Sequence, residues 1–228
     1  MKLDGKVAVV TGASSGMGYA ISQLFVKEGA NVVAVARRKE RLEELAESVA
    51  AGPGRLAIFV GDVSTREANE GMLDFAIAEF GKLDILINNA GLMDDMMPVG
   101  EIEDDLWEKI QKVNVYGPMS ACRSAVNIMM KQESGGNIVN IASVGGLFGS
   151  RAGIAYTASK HALIGMTKNI GFTYADKNIR CNAVCPGGVE TEVGVGIQNP
   201  SELGMAKMMS GAGTMPRQGK ASEIASVV

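Results

Sequence analysis

Lys6-Val-Ala-Val-Val-Thr11-Gly12-Ala-Ser-Ser-Gly16-Met-Gly18 is the stretch whose reading decides the fold. Four apolar residues in unbroken succession, Val7 to Val10, have the look of a strand buried on both faces, and a glycine-rich turn leads from them straight into an amphipathic stretch starting at about Gly16. Glycines in such a turn let backbone approach an anion closely, and the N-terminus of the following helix offers it unpaired N–H groups and partial positive charge. The spacing is GxxxGxG. It is neither GxGxxG nor a phosphate loop ending in Gly-Lys-Ser/Thr, because Gly18 is followed by Tyr19. On its own the motif also fits a turn that merely joins strand to helix, so the rest of the chain must decide.

Outward from this turn, apolar runs of strand length alternate with longer amphipathic stretches. Lys6 to Thr11, Asn31 to Ala36, Arg55 to Val60, Leu83 to Asn88, Asn137 to Ala142 and Ile179 to Val184 read as strands. Ala20 to Glu28, Lys39 to Ala51, Glu67 to Phe80, Asp104 to about Lys131 and Ala152 to Tyr174 read as the helices between them. Continuous rather than alternating apolar strands are the pattern of a parallel sheet covered by helices on both faces. The fold class is therefore α/β, a doubly wound parallel sheet of Rossmann-like type. Breakers fall at Gly52-Pro53-Gly54, Gly135-Gly136 and Pro186-Gly187-Gly188, with no linker, repeat or low-complexity tract, so residues 1–228 read as a single domain.

Composition narrows the function. Of 228 residues 46% are hydrophobic and 21% charged, as in ordinary globular domains, which argues against a disordered or fibrous chain. Lys and Arg number 22 against 25 Asp and Glu, a net charge of −3, and no basic run supplies the phosphate-neutralising surface that nucleic acid needs. The apolar runs are far shorter than the roughly 20 residues that span a bilayer, and Met1 to Lys6 carries no apolar leader segment. Cys122, Cys181 and Cys185 are odd in number and lack CxxC spacing, which points to a reduced cytoplasm and to small buried hydrophobes rather than disulfides. With one distant histidine they make no four-ligand zinc site, so no metal is expected. That histidine, His161, would have to serve any Ser-His-Asp hydrolase, yet it points about 100° around a helix from Lys160; packing or solvation is its plainer role.

Two positions bear on a cofactor. The second strand ends at Ala36 and continues Arg37-Arg38, close to where a dinucleotide site selective for NAD presents an acid to the adenosine ribose. A guanidinium there can grip a 2′-phosphate, so NADP(H) is expected over NAD(H); solvating the next helix is the plainer role for the two arginines. Asp62, followed by Val63, ends the third strand, where its carboxylate can accept from an adenine amino group or simply cap the turn.

Tyr156-Thr-Ala-Ser-Lys160 stacks a phenol and an ammonium at i and i+4 on one helix face. A nearby cation stabilises phenolate and brings tyrosine toward use as a proton donor and acceptor. Ser143 follows an apolar strand, at the carboxyl end where open α/β sheets bind ligands, and its hydroxyl can orient a carbonyl oxygen. In this order and context, with Thr11-Gly12-xxx-Gly16-x-Gly18, Asp62, Asn88-Asn89-Ala90-Gly91, Asn114 in Lys112-Val-Asn-Val115, and Pro186-Gly187, the chain resembles the classical short-chain dehydrogenase/reductase family. Within that family it looks like the group of 3-oxoacyl-carrier-protein reductases, glucose dehydrogenases and hydroxysteroid dehydrogenases.

The resemblance implies Tyr156 as general acid/base, Ser143 as orienter of the substrate oxygen, Lys160 as clamp of the nicotinamide ribose, and Asn114 as anchor of a proton-relay water. It implies Gly12, Ser14, Ser15, Gly16, Met17, Gly18, Arg37, Arg38, Asp62, Val63, Asn89, Ala90, Gly91, Tyr156 and Lys160 against the cofactor, with Pro186, Gly187, Val189 and Thr191 at its nicotinamide end. The expected substrate is a small-molecule carbonyl or alcohol: a 3-oxoacyl thioester, ketone, sugar or steroid. The alternative is a dinucleotide sensor without chemistry, which would be expected to lose Ser143, Tyr156 or Lys160; all three are present. Methionines at 93, 96, 97, 205, 208, 209 and 215 sit where such proteins line a substrate pocket, and serve equally as core filler. The segment Ala152 to Tyr174 is apolar over more than one face, so a homo-oligomer, tetramer or dimer, is expected. Family members continue past Glu223 to Val228 into a last strand, so that C-terminal strand is expected to be missing here.

Overall fold

The computed structural model describes residues 1–192, 196–210 and 217–228. Six parallel strands, β1 (Val7–Thr11), β2 (Asn31–Ala36), β3 (Leu56–Val60), β4 (Ile85–Asn88), β5 (Gly136–Ile141) and β6 (Ile179–Val184), lie in the order β3-β2-β1-β4-β5-β6. Between them run α1 (Gly16–Lys27), α2 (Lys39–Val49), α3 (Arg66–Phe80), α4 (Asp104–Gln111), α5 (Gly117–Met129) and α6 (Ile154–Thr173). Strand β1 is buried throughout, as its unbroken apolar run requires, and successive side chains feed opposite cores. Val9 packs with Val33, Leu86, Met72 and Met129 on one face, while Ala8 and Val10 pack with Ile21, Phe25, Leu42 and Ile87 on the other. Strand order reverses between β1 and β4, and the crevice outside their carboxyl ends is where such sheets bind ligands.

Two elements differ from the sequence reading. The single helix expected from Asp104 to about Lys131 is two helices joined by a π turn at Lys112–Tyr116. Pro118 accounts for the break: it has no N–H to return to the carbonyl of Asn114 four residues back, and its ring crowds that carbonyl. Strand β6 is not continuously buried; Arg180 and Asn182 are exposed and alternate with buried Ile179 and Cys181. Beyond it, two-residue strands β7 (Val189–Glu190) and β8 (Gly219–Lys220) pair with each other, α7 (Glu202–Ser210) lies between them in the chain, and α8 (Ala221–Ala225) packs on α1.

Candidate active site

The loop after β1 has no room for side chains. Gly12 and Gly16 have φ of +69° and +55°, and a Cβ on Gly12 would lie 2.7 Å from Asn89 Nδ2 and 2.9 Å from Ala90 Cα. A Cβ on Gly18 would overlap the Gly12 carbonyl oxygen and approach Asn89 Nδ2 to 2.5 Å. Thr11 Oγ1 donates to Ile87 O (3.2 Å) and accepts from Asn89 N (3.0 Å) and Ala90 N (3.1 Å), tying β1 to β4 at the switch point. Asn89 Nδ2 donates to the Thr11 and Gly12 carbonyls, while its Oδ1 is a buried acceptor with no donor among the described residues. At the start of α1 the N-cap Ser15 makes no side-chain cap bond and the first turn holds no acid. Its N–H groups and dipole point toward the crevice, the arrangement that receives a phosphate, with the Glu192 carboxylate on Ser15 as the nearest anion.

A cavity of about 610 Å³ spreads from this loop. It gathers Gly12, Ser14, Ser15, Gly16, Met17, Arg37, Arg38, Asp62, Val63, Asn89, Ala90, Gly91 and Thr191, contributed by five separate stretches of chain. Gly18 lies behind the loop. Pro186 ties in through its carbonyl, which accepts from Val144 N (2.9 Å), whereas Val189 is paired in β7 and Gly187 has open space around it. A larger cavity, about 740 Å³, opens at the amino ends of the strands around Lys6, Asp84 and Asn137 and holds none of the motif residues. The chemistry-bearing groups are all at the carboxyl edge.

At one end of the 610 Å³ cavity Arg38 is spread over the phosphate loop. Its Nη2 donates to Ser14 Oγ and Ser15 Oγ, both at 3.0 Å, and its Nη1 and Nη2 reach Glu192 Oε2 at 3.2 Å. Glu192, unforeseen from sequence, also lies 3.9 Å from Arg41; its hydrogen bond with Arg38 holds its carboxyl below the usual range. Burial pushes the Asp62 carboxyl up, but hydrogen bonds from Ser64 and the charges of Arg37 and Lys112 outweigh it and hold it low. A glycine cradle at the start of a helix fits the diphosphate of a nicotinamide dinucleotide.

Next to the cavity, on its Gly91 side, Ser143, Tyr156, Lys160 and Asn114 meet. Ser143 and Tyr156 hydrogen-bond through their side chains, and Gly145 N donates to Ser143 Oγ at 3.0 Å, aiming the hydroxyl. Lys160 Nζ is buried, donates to Ile141 O (2.8 Å) and lies 5.5 Å from the Tyr156 ring centroid. Burial lowers its pKa to about 8. The sequence reading expects the phenol to be lowered; burial instead raises it, with the Ser143 bond pulling down and the charge of Asp94 pushing up. A Cβ on Gly91 would lie 3.6 Å from Lys160 Nζ and 3.5 Å from Asn114 Oδ1, so this buried group lies directly behind Gly91, which lines the cavity. The Asn114 side chain is fully engaged, by Leu92 N and O (2.9 Å each) and Ser159 Oγ (3.1 Å). Its backbone carbonyl, to which Pro118 offers no N–H, is the further acceptor at this position.

The family model described as short chain dehydrogenase matches residues 6–201. The chain belongs to the short chain dehydrogenase family. It is 46% identical over 222 residues to 3beta-hydroxysteroid dehydrogenase 2 of Eggerthella lenta, an alignment covering 97% of this chain and 85% of that protein. It is 36% identical over 229 residues to the 3-oxoacyl-[acyl-carrier-protein] reductase FabG of Thermotoga maritima, covering 100% and 90%. A crystal structure of a short-chain type dehydrogenase/reductase from Mycobacterium marinum superposes with a TM-score of 0.88 at 29% identity, covering 99% of this chain and 87% of that one. As a short chain dehydrogenase the protein is an oxidoreductase of hydroxyl and keto groups.

The remaining sequence expectations sort as follows. His161 is exposed, its Nδ1 2.9 Å from Thr157 O, and takes no part in the site. Cys122 and Cys181 are buried free thiols, both pushed up by burial, to about 12 and about 11. The two methionine stretches do come together: a Cβ on Gly204 would strike the Met96 carbonyl. Met215 lies outside the described residues. Among the described residues, no helix is long and apolar enough to cross a membrane.

Proposed function

We propose that the protein is an NADP(H)-dependent reductase/dehydrogenase that moves a hydride between nicotinamide and the carbonyl or secondary alcohol of a small hydrophobic substrate, with Tyr156 as general acid and base. The observation that carries this reading is the meeting of Ser143, Tyr156, Lys160 and Asn114 directly behind Gly91, a residue that lines the same cavity as the glycine loop after β1. When bound, NADP(H) supplies or accepts the hydride. Arg38 with Ser14 and Ser15 would hold the 2′-phosphate, which takes the place of the Glu192 carboxylate on the guanidinium. Ser143 donates to the substrate oxygen and fixes it beside the phenol. Tyr156 protonates that oxygen in reduction and takes the proton back in oxidation, a contribution of roughly 10²–10⁴-fold. Lys160 holds the ribose hydroxyls and opposes, by its charge, the upward push of burial on the phenol. The Asn114 carbonyl anchors the water through which the proton is replaced.

As substrate class we favour a 3-oxo or 3-hydroxysteroid, on the likeness to the Eggerthella lenta enzyme and on the adaptable thioethers of Met93 and Met97 beside the site. The active form is a homo-oligomer in a reducing cytoplasm, where three free thiols persist. NADPH absorbance against a panel of 3-oxosteroids, 3-oxoacyl thioesters, sugars and simple ketones tests the reading. Turnover fastest on a 3-oxosteroid, and its loss in Tyr156→Phe with NADPH binding kept, is the expected result. Tight NADPH binding with no turnover on any of them would leave only the dinucleotide sensor.

A further inference from the structure

We propose that Asp94 is a positioning residue for Tyr156, seating the first turn of α6 from the loop after β4. This rests on the reading of Tyr156 as general acid/base.

The four N–H groups that open a helix need acceptors, which the N-cap side chain ordinarily supplies. The N-cap of α6 is Gly153, which has none. Asp94 takes that place from 59 residues away: its Oδ1 accepts from Gly153 N and its Oδ2 from Tyr156 N, each at 2.9 Å. The carboxylate is fully buried, and no cation pairs with it among the described residues. Gly153 is glycine for this reason, since a Cβ there would lie 2.5 Å from both Asp94 Oδ2 and Met97 N. A local cap would fix the start of the helix relative to itself. A cap carried on the β4 loop fixes the Tyr156 backbone relative to Asn89, Ala90 and Gly91, which line the cavity.

The next residue extends the joint. Asp95 accepts from Gln198 N (3.0 Å) and Asn199 N (3.4 Å) through its side chain and from Ser201 N (2.9 Å) through its carbonyl. Consecutive aspartates thus hold the catalytic helix and the start of α7, with Met96 at φ +57° turning the chain just beyond them. Around the phenol stand Lys160 from α6, Ser143 from the end of β5 and Asp94 from the β4 loop, and Cys185 faces Lys160. Asp94 is the one anion in this set, and it favours the protonated phenol that ketone reduction requires.

The experiment compares D94N, D94E and Y156F in ketone reduction across pH, with NADPH binding by fluorescence as the check on folding. D94N should bind NADPH within about threefold of wild type and lose roughly 10- to 100-fold in kcat, the scale expected of a displaced catalytic group. The alkaline limb of its profile should move to lower pH, because the phenol deprotonates more easily without the anion. D94E keeps the charge, so its kcat should fall while the limb stays. In a Y156F background D94N should cost no further activity, which a general structural role would not predict. If D94N does not hold NADPH, G153A serves in its place, since its Cβ displaces the same carboxylate; lost kcat with NADPH binding kept supports the proposal. Wild-type kcat and pH limb in D94N, or in G153A where that variant is needed, would overturn it. Full activity in Y156F would instead overturn the reading of Tyr156 on which it rests.

Discussion

Replacing Lys160 with methionine removes a cation that the fold holds at an energetic cost, and the size of that cost follows from its pKa. Burial lowers the ammonium from an ordinary 10.5 to about 8. Between those values the unfolded chain binds the proton and the folded chain does not, so stability rises with pH across that window and the deficit is fully present below about pH 8. At 1.36 kcal/mol per unit the full deficit is about 3 kcal/mol, of which about 2–3 kcal/mol is recovered between pH 7 and pH 10. Lys160→Met, close in length and apolar, has no such titration. It also loses the bond to Ile141 O, whose charge assistance fades as the ammonium titrates and is already contained in the folded-state pKa. Urea unfolding of both proteins at pH 7 and pH 10, at one protein concentration, isolates the effect, because every other group titrates in both. Wild-type stability minus that of Lys160→Met is expected to increase by about 2–3 kcal/mol from pH 7 to pH 10. A difference that stays flat or declines would show that the ammonium is not desolvated in the folded protein. The same variant should bind NADPH more weakly and turn over substrate more slowly, since the group proposed to hold the ribose is gone.

Arg38→Leu should weaken NADP(H) binding by roughly 10- to 150-fold, the worth of one charge-assisted contact of about 1.5–3 kcal/mol, and leave NAD(H) nearly untouched; equal losses for both cofactors in a fluorescence titration would refute the 2′-phosphate assignment. Gly18→Ala puts a methyl group onto the Gly12 carbonyl and Asn89, an overlap costing about 1–3 kcal/mol, so its melting temperature and NADPH affinity should fall together; unchanged affinity would mean the loop does not hold the diphosphate. Phe172 stands 88% exposed on the second face of α6, and light scattering is expected to report a dimer or tetramer that Phe172→Glu shifts toward monomer; a monomeric wild type would sink the oligomer.

The fold class was legible in the sequence because parallel strands buried on both faces must be continuous apolar runs, and six such runs separated by amphipathic stretches admit few other arrangements. The glycine turn after β1 and the stacking of Tyr156 and Lys160 on one helix face were legible too, since both are local geometry that spacing reveals. What sequence alone left undecided was set by contacts between distant segments. The break at Lys112–Tyr116 is dictated by Pro118, yet its consequence appears only where the Asn114 side chain meets Leu92 and Ser159. The rise of the Tyr156 pKa follows from burial and from Asp94, and desolvation is a property of what surrounds a group, which i, i+4 spacing does not contain. Asp94 itself carries no motif; its only sequence trace is an N-cap glycine 59 residues later, because a carboxylate that caps a helix through space leaves its mark on the residue it displaces.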